Sequence, residues 1–488
     1  MSPPLRLAMI GLDAADLGFI RSSSSELPNL RRVLARSALH TLRSPADLLT
    51  GSVWPTFSTA TNPAEHGMYH HLQWDAASMR MRRVTPDWID VEPFWHELAR
   101  RGRRVIAIDV PLTFPPRVLR EGIAVLNWGS HDQLGPVTCH PRYLEGEIRR
   151  RFGKHPMGVE IPVGKSVAGL QKIRDDLVRG ARRKGALVRW LLDQAPWDFF
   201  IAVFGETHRG GHILWPDGPG GDTIPAGALL AVYRAVDEAV GDILETPAVA
   251  DAGLIVFALH GMGPNISQEH FVPGVMDLVN AGFAERAPDG RGNREGRPSR
   301  GIVRLLRERV PAPIQNRIAR LVPVSVRDEV MNQSIIAGHD WARTSGFDLV
   351  ADLNGYLRLN VRGREREGSL ERDGDVLPRY VDWVRECFES LTIAGTGEPL
   401  VDSVRLASDA FQGPRLDHLP DIIVTWAGHL PVSRVESEVL GPVTADHATG
   451  RSGNHRRDGF CAVSVPGTER WTLTDIRDLA AFVRAAVE

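Results

Sequence analysis

The sequence predicts an α/β fold: a doubly wound, mostly parallel central sheet flanked by helices, with a smaller inserted cap region. Short, continuously apolar runs recur along the chain, as expected of parallel strands buried on both faces. Amphipathic helical segments separate them, which is the alternation of a doubly wound sheet. The chain has 488 residues, beyond the size at which one hydrophobic core usually keeps growing, so a large domain with an inserted or appended smaller unit is expected.

The strand candidates, in order, are "LRLAMIGL" (5–12), "RRVIAIDV" (103–110), "FFIAVF" (199–204), "GLIVFAL" (253–259) and "DIIVTW" (421–426). The segments "VEPFWHELARRG" (91–102) and "GALLAVYRAVDEAVGDIL" (227–244) read as helices, the second with apolar residues near i, i+3, i+4 and i+7. Residues 285–301 are rich in Gly, Pro and Arg and lack periodicity, so they read as a flexible excursion. A helical insertion is expected over 302–322 and a strand-rich patch over 347–368. The division that follows is an α/β domain at 1–264 and 336–488, with a helical or loop insertion, a cap, at 265–335.

Composition narrows the partners. Hydrophobic residues make up 43% and charged residues 24%, and the formal net charge is −2, which sets up no field to gather a nucleic-acid polymer. A small-molecule partner is expected. Arginines are scattered and not banked on one segment, as on ordinary solvated helix faces. The first apolar run continues into Gly and Asp without a signal-peptide pattern, and no stretch approaches about 18 apolar residues, so a cytoplasmic protein with no membrane partner is expected. Cys139, Cys387 and Cys461 are too widely spaced for a disulfide framework or a cysteine metal site and read as free, buried thiols.

Polar residues collect where apolar strands end: Asp13 after "AMIGL", Asp109 after "RVIAI", Glu206 and His208 after "FFIAVFG", and His260 after "LIVFAL". On a parallel sheet these ends share one edge, where residues distant in sequence converge. Asp13 alone is equally a turn or helix cap. His208 and His212 share a face if a helix opens at 206, which is a spacing that grips Zn²⁺; the alternative is a pair of surface or satisfied core histidines. The glycines between them read as letting a turn pass close to a ligand site. In "LLTGSVWPTFSTATNPAEHG" (48–67), Thr50 falls at a helix N-terminus, either as a cap or as a nucleophile beside a metal, and Gly51 and Ser52 continue that turn. Trp54 and Trp215 are candidates for stacking on a base or for core packing.

Together these stretches resemble the alkaline phosphatase superfamily, specifically its type I phosphodiesterase/nucleotide pyrophosphatase branch. "MIGLDAAD" resembles the family's opening strand with its metal-binding Asp. "TGSVWPTFSTATNPAEHG" resembles its nucleophile helix, and "RRVIAIDVPLTFPP", "VYRAVDEAVGDIL", "DWARTSGF", "LRLNVRGREREG" and "SGNHRRDGF" are similar to further family segments in the same order.

The resemblance implies a binuclear metal site, commonly zinc. Carried over by position, one metal falls on His208, His212 and His455, and the other on Asp13, Thr50, the position of Leu259, and His260. Thr50 takes the role of nucleophile, Gly51 and Ser52 add backbone donors, and Glu206 is a supporting residue. Two positions depart from the family: His208 stands where an Asp is usual, and Leu259 replaces the carboxylate of an Asp-His pair. Of the family's three carboxylates only Asp13 remains. One firmly held zinc at the three histidines is therefore expected, with a second metal weak, substrate-assisted or absent, and Mn or Ca as other candidate ions. The implied function is a metal-dependent hydrolase of small phosphoesters, of phosphodiester or nucleotide pyrophosphate type. The alternatives are a single-metal enzyme of changed reaction (phosphoryl or nucleotidyl transfer, or other ester hydrolysis) and a non-catalytic binder of a phosphorylated ligand.

Overall fold

Eight strands form the central sheet in the computed structural model, which describes residues 5–116, 122–158, 165–286, 324–336, 338–447 and 450–487. Their spatial order is Ala38–Leu42, Gly459–Ser464, Gly253–Ala258, Leu7–Leu12, Phe199–Phe204, Val105–Ile108, Gly122–Leu126, Thr138–His140. The five strands from Gly253–Ala258 to Gly122–Leu126 pair in parallel, while Gly459–Ser464 and Thr138–His140 join them antiparallel. Most of the flexible excursion and the helical insertion expected over 302–322 lie outside the described residues.

The unbroken apolar runs follow from burial of both faces. Along Leu7–Leu12, Ala8, Ile10 and Leu12 enter one apolar cluster, while Leu7 and Met9 enter the cluster on the other side. Phe199–Phe204 divides in the same way, with Phe200, Ala202 and Phe204 on the first side and Phe199, Ile201 and Val203 on the second. The two-residue period of a strand therefore gives no polar face here. Helices Val167–Leu192 and Ala228–Leu244 cover the first side, and Val53–Thr59, Phe94–Arg100 and Asp478–Val487 cover the second.

A smaller unit is built on a four-stranded antiparallel sheet ordered Gly346–Asp348, Gly355–Leu359, Ile422–Trp426, Val401–Leu406. The run at 421–426, expected among the parallel strands, belongs to this sheet. It is continuously apolar because Ile422, Val424 and Trp426 face helices Val272–Glu285 and Val376–Glu389, whereas Ile423 packs with Tyr356 against Leu49, Tyr69 and Trp74. A doubly buried antiparallel strand and a parallel one have the same apolar signature. The packing also seats the smaller unit on the segment that carries Thr50.

Cys139, Cys387 and Cys461 are free and buried. No described helix is long and apolar enough to cross a membrane.

Candidate active site

The carboxyl ends of the parallel strands bring Asp13, His208, His212 and His260 together, and the antiparallel strand Gly453–Arg456 adds His455. Asp13 directly follows Leu7–Leu12, and its N–H donates to the Phe204 carbonyl at 3.0 Å, so the sheet register carries on to the site. Its Oδ1 accepts from Trp54 Nε1 at 2.8 Å, and its Oδ2 lies 2.7 Å from His208 Nδ1. Burial pushes the Asp13 carboxyl up, but His208, His260 and the Trp54 hydrogen bond outweigh it and hold the group at about 2, an ionised acceptor at neutral pH.

His208 and His212 lie on the helix Glu206–Leu214, which starts one residue after the Phe199–Phe204 strand. The helix spacing brings their Nε2 atoms to 2.9 Å. His212 Nδ1 lies 3.0 Å from the Gly453 carbonyl. The intervening glycines serve helix packing inside this helix, which corrects the expectation of a turn. A Cβ on Gly211 would stand 2.8 Å from Met262 Cγ, and one on Gly453 would stand 2.1 Å from the Gly211 carbonyl oxygen. The helix thereby lies directly on the strand that delivers the Gly453 carbonyl and, two residues on, His455.

The His455 ring centroid lies 4.9 Å from that of His208 and 4.7 Å from those of both His212 and His260. Met262 pairs with His455 across the short ladder, which is how His260 and His455 come to be neighbours. His260 Nε2 is 3.9 Å from Asp13 Oδ1. Burial lowers the His260 imidazole to about 4 and, with the neighbouring rings, lowers His455 well below its ordinary value, so both rings are neutral at pH 7. His455 Nδ1 is buried without a hydrogen-bond partner among the described residues.

Thr50 opens a short 3₁₀ turn, Thr50–Ser52, ahead of the helix Val53–Thr59, and it lines the same narrow cleft as Asp13, His208, His260 and His455. Its N–H donates to Tyr356 Oη at 3.3 Å, and the Ser52 N–H donates to the Leu49 carbonyl at 3.0 Å. Ser52 Oγ donates to the Met68 carbonyl at 2.8 Å. Of the two backbone donors expected here, the Ser52 N–H thus has a partner within the fold. Gly51 is needed for close approach, since a Cβ there would lie 2.1 Å from the Tyr69 carbonyl oxygen.

The remaining expected residues lie off the imidazole cluster. Glu206 is fully buried with Oε1 3.0 Å from His155 Nε2. Burial pushes its carboxyl up, but Lys184 and His155 outweigh it and keep it low. Leu259 is buried in the apolar cluster with Trp54, Phe57 and Phe257. Trp54 and Trp215 are both buried, which makes them packing residues, and Trp54 also anchors Asp13.

Three cleft residues escaped the sequence reading: His131, Asp132 and Asp352. The first two follow the apolar run "GIAVL" in "NWGSHD" (127–132), the same strand-end signal that marks Asp13 and His260. Asp352 comes from the smaller unit, and no local pattern marks it. Burial pushes the Asp132 carboxyl up, but His131 and His71 outweigh it and hold it well below the usual range. Asp352 is held at about 2 because Arg451, 2.8 Å away, and His70 outweigh its burial.

The family model for type I phosphodiesterase / nucleotide pyrophosphatase matches residues 7–309. The chain belongs to that family, and with it to the alkaline phosphatase superfamily. No curated protein matches it in sequence. Among solved structures, the phosphonoacetate hydrolase of Sinorhizobium meliloti in complex with phosphonoformate is similar at 14% identity and a TM-score of 0.51, over 100% of this chain and 96% of that one. An inactive murine ectonucleotide pyrophosphatase/phosphodiesterase 5 in complex with AMP is similar at 10% identity and a TM-score of 0.50, over 99% and 95%. Likeness at such identity concerns the fold. This type I phosphodiesterase family member therefore keeps the architecture while Leu259 sits in the core and His208 is bonded to Asp13.

Proposed function

We propose that this chain is a metal-dependent hydrolase of small phosphorylated substrates, of phosphodiester or nucleotide pyrophosphate type, with Thr50 as the attacking hydroxyl. The observation that carries the metal dependence is the facing pair of Nε2 atoms on His208 and His212, 2.9 Å apart. The ionised Asp13 carboxylate and the Gly453 carbonyl can only accept, so each ring carries its hydrogen on Nδ1. With one hydrogen per ring, both Nε2 atoms then point lone pairs at each other, an arrangement that a cation relieves. The His455 ring centroid lies 4.9 and 4.7 Å from those of His208 and His212, and its buried Nδ1, without a hydrogen-bond partner among the described residues, supports the same reading.

Neutral imidazoles suit zinc, and three of them with an open position form a catalytic set. His208, His212 and His455 would hold one ion, and Asp13, Thr50 and His260 would hold a weaker second one, because position 259 offers no donor. The metal, when bound, supplies Lewis-acid charge to the phosphoryl oxygens and to the Thr50 oxygen. Asp13 fixes the tautomer and orientation of His208. Tyr356 and the Gly51 close approach hold Thr50 at the cleft wall. In-line attack by Thr50 forms a bond to phosphorus as the bond to the leaving group breaks, and water then hydrolyses the phosphothreonine.

The test is metal analysis of the purified protein together with hydrolysis of bis-p-nitrophenyl phosphate, with and without added Zn²⁺ or Mn²⁺. Bound metal and metal-dependent turnover are expected. A protein that binds neither ion and stays inactive in their presence overturns the reading. That outcome would favour the second reading, a binder of a phosphorylated ligand, for which the burial of Leu259 in the apolar core is the supporting observation. Unchanged turnover in Thr50→Ala excludes the covalent route alone and leaves a single-metal hydrolase of changed mechanism.

A further inference from the structure

Among the described residues, one group of three His/Cys/Asp/Glu side chains has donor atoms placed to hold a metal ion, and it includes one residue outside the family pattern. One donor nitrogen each from His131, His208 and His212 lies within 4.8 Å of the others, and all three side chains are buried. The His131 ring lies 4.1 Å from that of His208, inclined by 31°, and 5.9 Å from that of His212.

The way His131 is held matches the way the other two are held. Its Nδ1 stands 3.2 Å from Asp132 Oδ2, as His208 Nδ1 stands by Asp13 and His212 Nδ1 by the Gly453 carbonyl. The other Asp132 oxygen lies 3.3 Å from His71 Nδ1, so the carboxylate is itself oriented. An acceptor on Nδ1 of each ring fixes tautomer and orientation and raises the basicity of Nε2, the usual arrangement around metal-ligating histidines.

The backbone under His131 is also anchored. Asp109 adopts a left-handed φ of 52°, and its two carboxylate oxygens accept from the N–H groups of Trp128 and Gly129, both at 2.7 Å. Lys184, fully buried on the helix Val167–Leu192, donates to the same carboxylate and to the Val203 carbonyl. Gly205 has no Cβ, and one there would stand 3.1 Å from the Gly129 carbonyl oxygen, so the start of the His208 helix lies against this segment. A buried ion pair thus fixes the chain two residues before His131.

We propose that His131 is a ligand, through Nε2, of the ion that His208 and His212 hold, with Asp132 as its positioning residue, so that the segment after Gly122–Leu126 adds a donor to that ion. The assignment rests on the metal-dependent reading above. Asp13 behind His208 and Asp132 behind His131 then place negative charge next to the histidine-held ion.

The experiment measures zinc content after dialysis, zinc affinity by chelator competition and the visible spectrum of the Co²⁺-loaded full-length protein, for wild type, His131→Ala, Asp132→Asn and His212→Ala. His131→Ala is expected to lower zinc affinity at least as much as Asp132→Asn, for which a loss of about 10- to 100-fold is expected. Both variants are expected to alter the Co²⁺ bands. Should His131→Ala fail to fold by circular dichroism, the near-isosteric His131→Gln carries the same expectation. Wild-type affinity and spectrum in the His131 and Asp132 variants, with loss in His212→Ala, overturn the inference and leave the metal-dependent reading intact. Absence of bound zinc and cobalt in wild type overturns both.

Discussion

Lys184 and Asp109 form an ion pair from which water is wholly excluded, both side chains being 0% exposed, and the pair sits under the segment that carries His131 and Asp132. Two backbone N–H groups and one ammonium converge on a single carboxylate. Removing one partner therefore strands a charge in the interior. Lys184→Met is expected to destabilise the fold by about 3–5 kcal/mol, read as a lowered urea midpoint. In the double variant Lys184→Met/Asp109→Asn the loss is expected to be smaller than the sum of the two single losses, because no unpaired charge remains. Additive losses would mean that the pair is not a unit.

Asp13 acts on His208 through charge as well as through a hydrogen bond. Asp13→Asn keeps the shape of the side chain but removes the negative charge. A fall in zinc affinity of about 10- to 100-fold is expected, and because the amide offers one acceptor where Trp54 Nε1–H and His208 Nδ1–H use two, a stability loss of about 1–3 kcal/mol measured in chelator is expected as well. Chelator competition checks it, and an unchanged affinity would show that His208 is oriented without the carboxylate.

Tyr356 reaches from the smaller unit to the N–H of Thr50, and its ring lies at the T-shaped contact with Tyr69. Tyr356→Phe leaves the ring packing and removes one buried hydrogen bond, an expected cost of about 1–3 kcal/mol. The Thr50 backbone is then held less firmly, so kcat on a phosphodiester is expected to fall while zinc content stays at the wild-type level. Loss of zinc in this variant would contradict a role confined to Thr50.

Much of this arrangement was legible in the sequence, and the reasons are local. Unbroken apolar runs ending in Asp13, His208 or His260 mark doubly buried strands whose tips share an edge, and the topology realises that edge. His212 follows His208 by one helical turn, so its place follows from the helix alone. His131 carried the same strand-end mark but lacks the His-x-x-x-His spacing, and its value depends on Asp109 and Lys184, which lie 22 positions before it and 53 positions after it in the sequence. The placement of Asp352, and of the 421–426 run in a separate sheet, depends on the smaller unit docking over Thr50, and a tertiary contact of that kind leaves no periodic trace.

His66 sets a pH dependence that is independent of the metal. It is fully buried, its Nδ1 accepts from the Met68 N–H at 3.1 Å, and its Nε2 lies 3.0 Å from Thr56 Oγ1. Protonating Nδ1 would break the first of these bonds, and burial lowers the imidazole to about 3, against 6.5 for an unperturbed ring. Below about pH 6.5 the unfolded chain therefore takes up a proton that the folded chain refuses until about pH 3. Stability contributed by the neutral ring is complete above pH 6.5 and is lost progressively as the pH falls toward 3. His66→Asn, which offers one acceptor and one donor of similar reach, is expected to lower the slope of unfolding free energy against pH by up to about 1.4 kcal/mol per pH unit in this window. Urea unfolding in chelator at several pH values between 4.5 and 7.5 measures both slopes, and equal slopes would show that His66 takes up its proton equally in the folded and unfolded states.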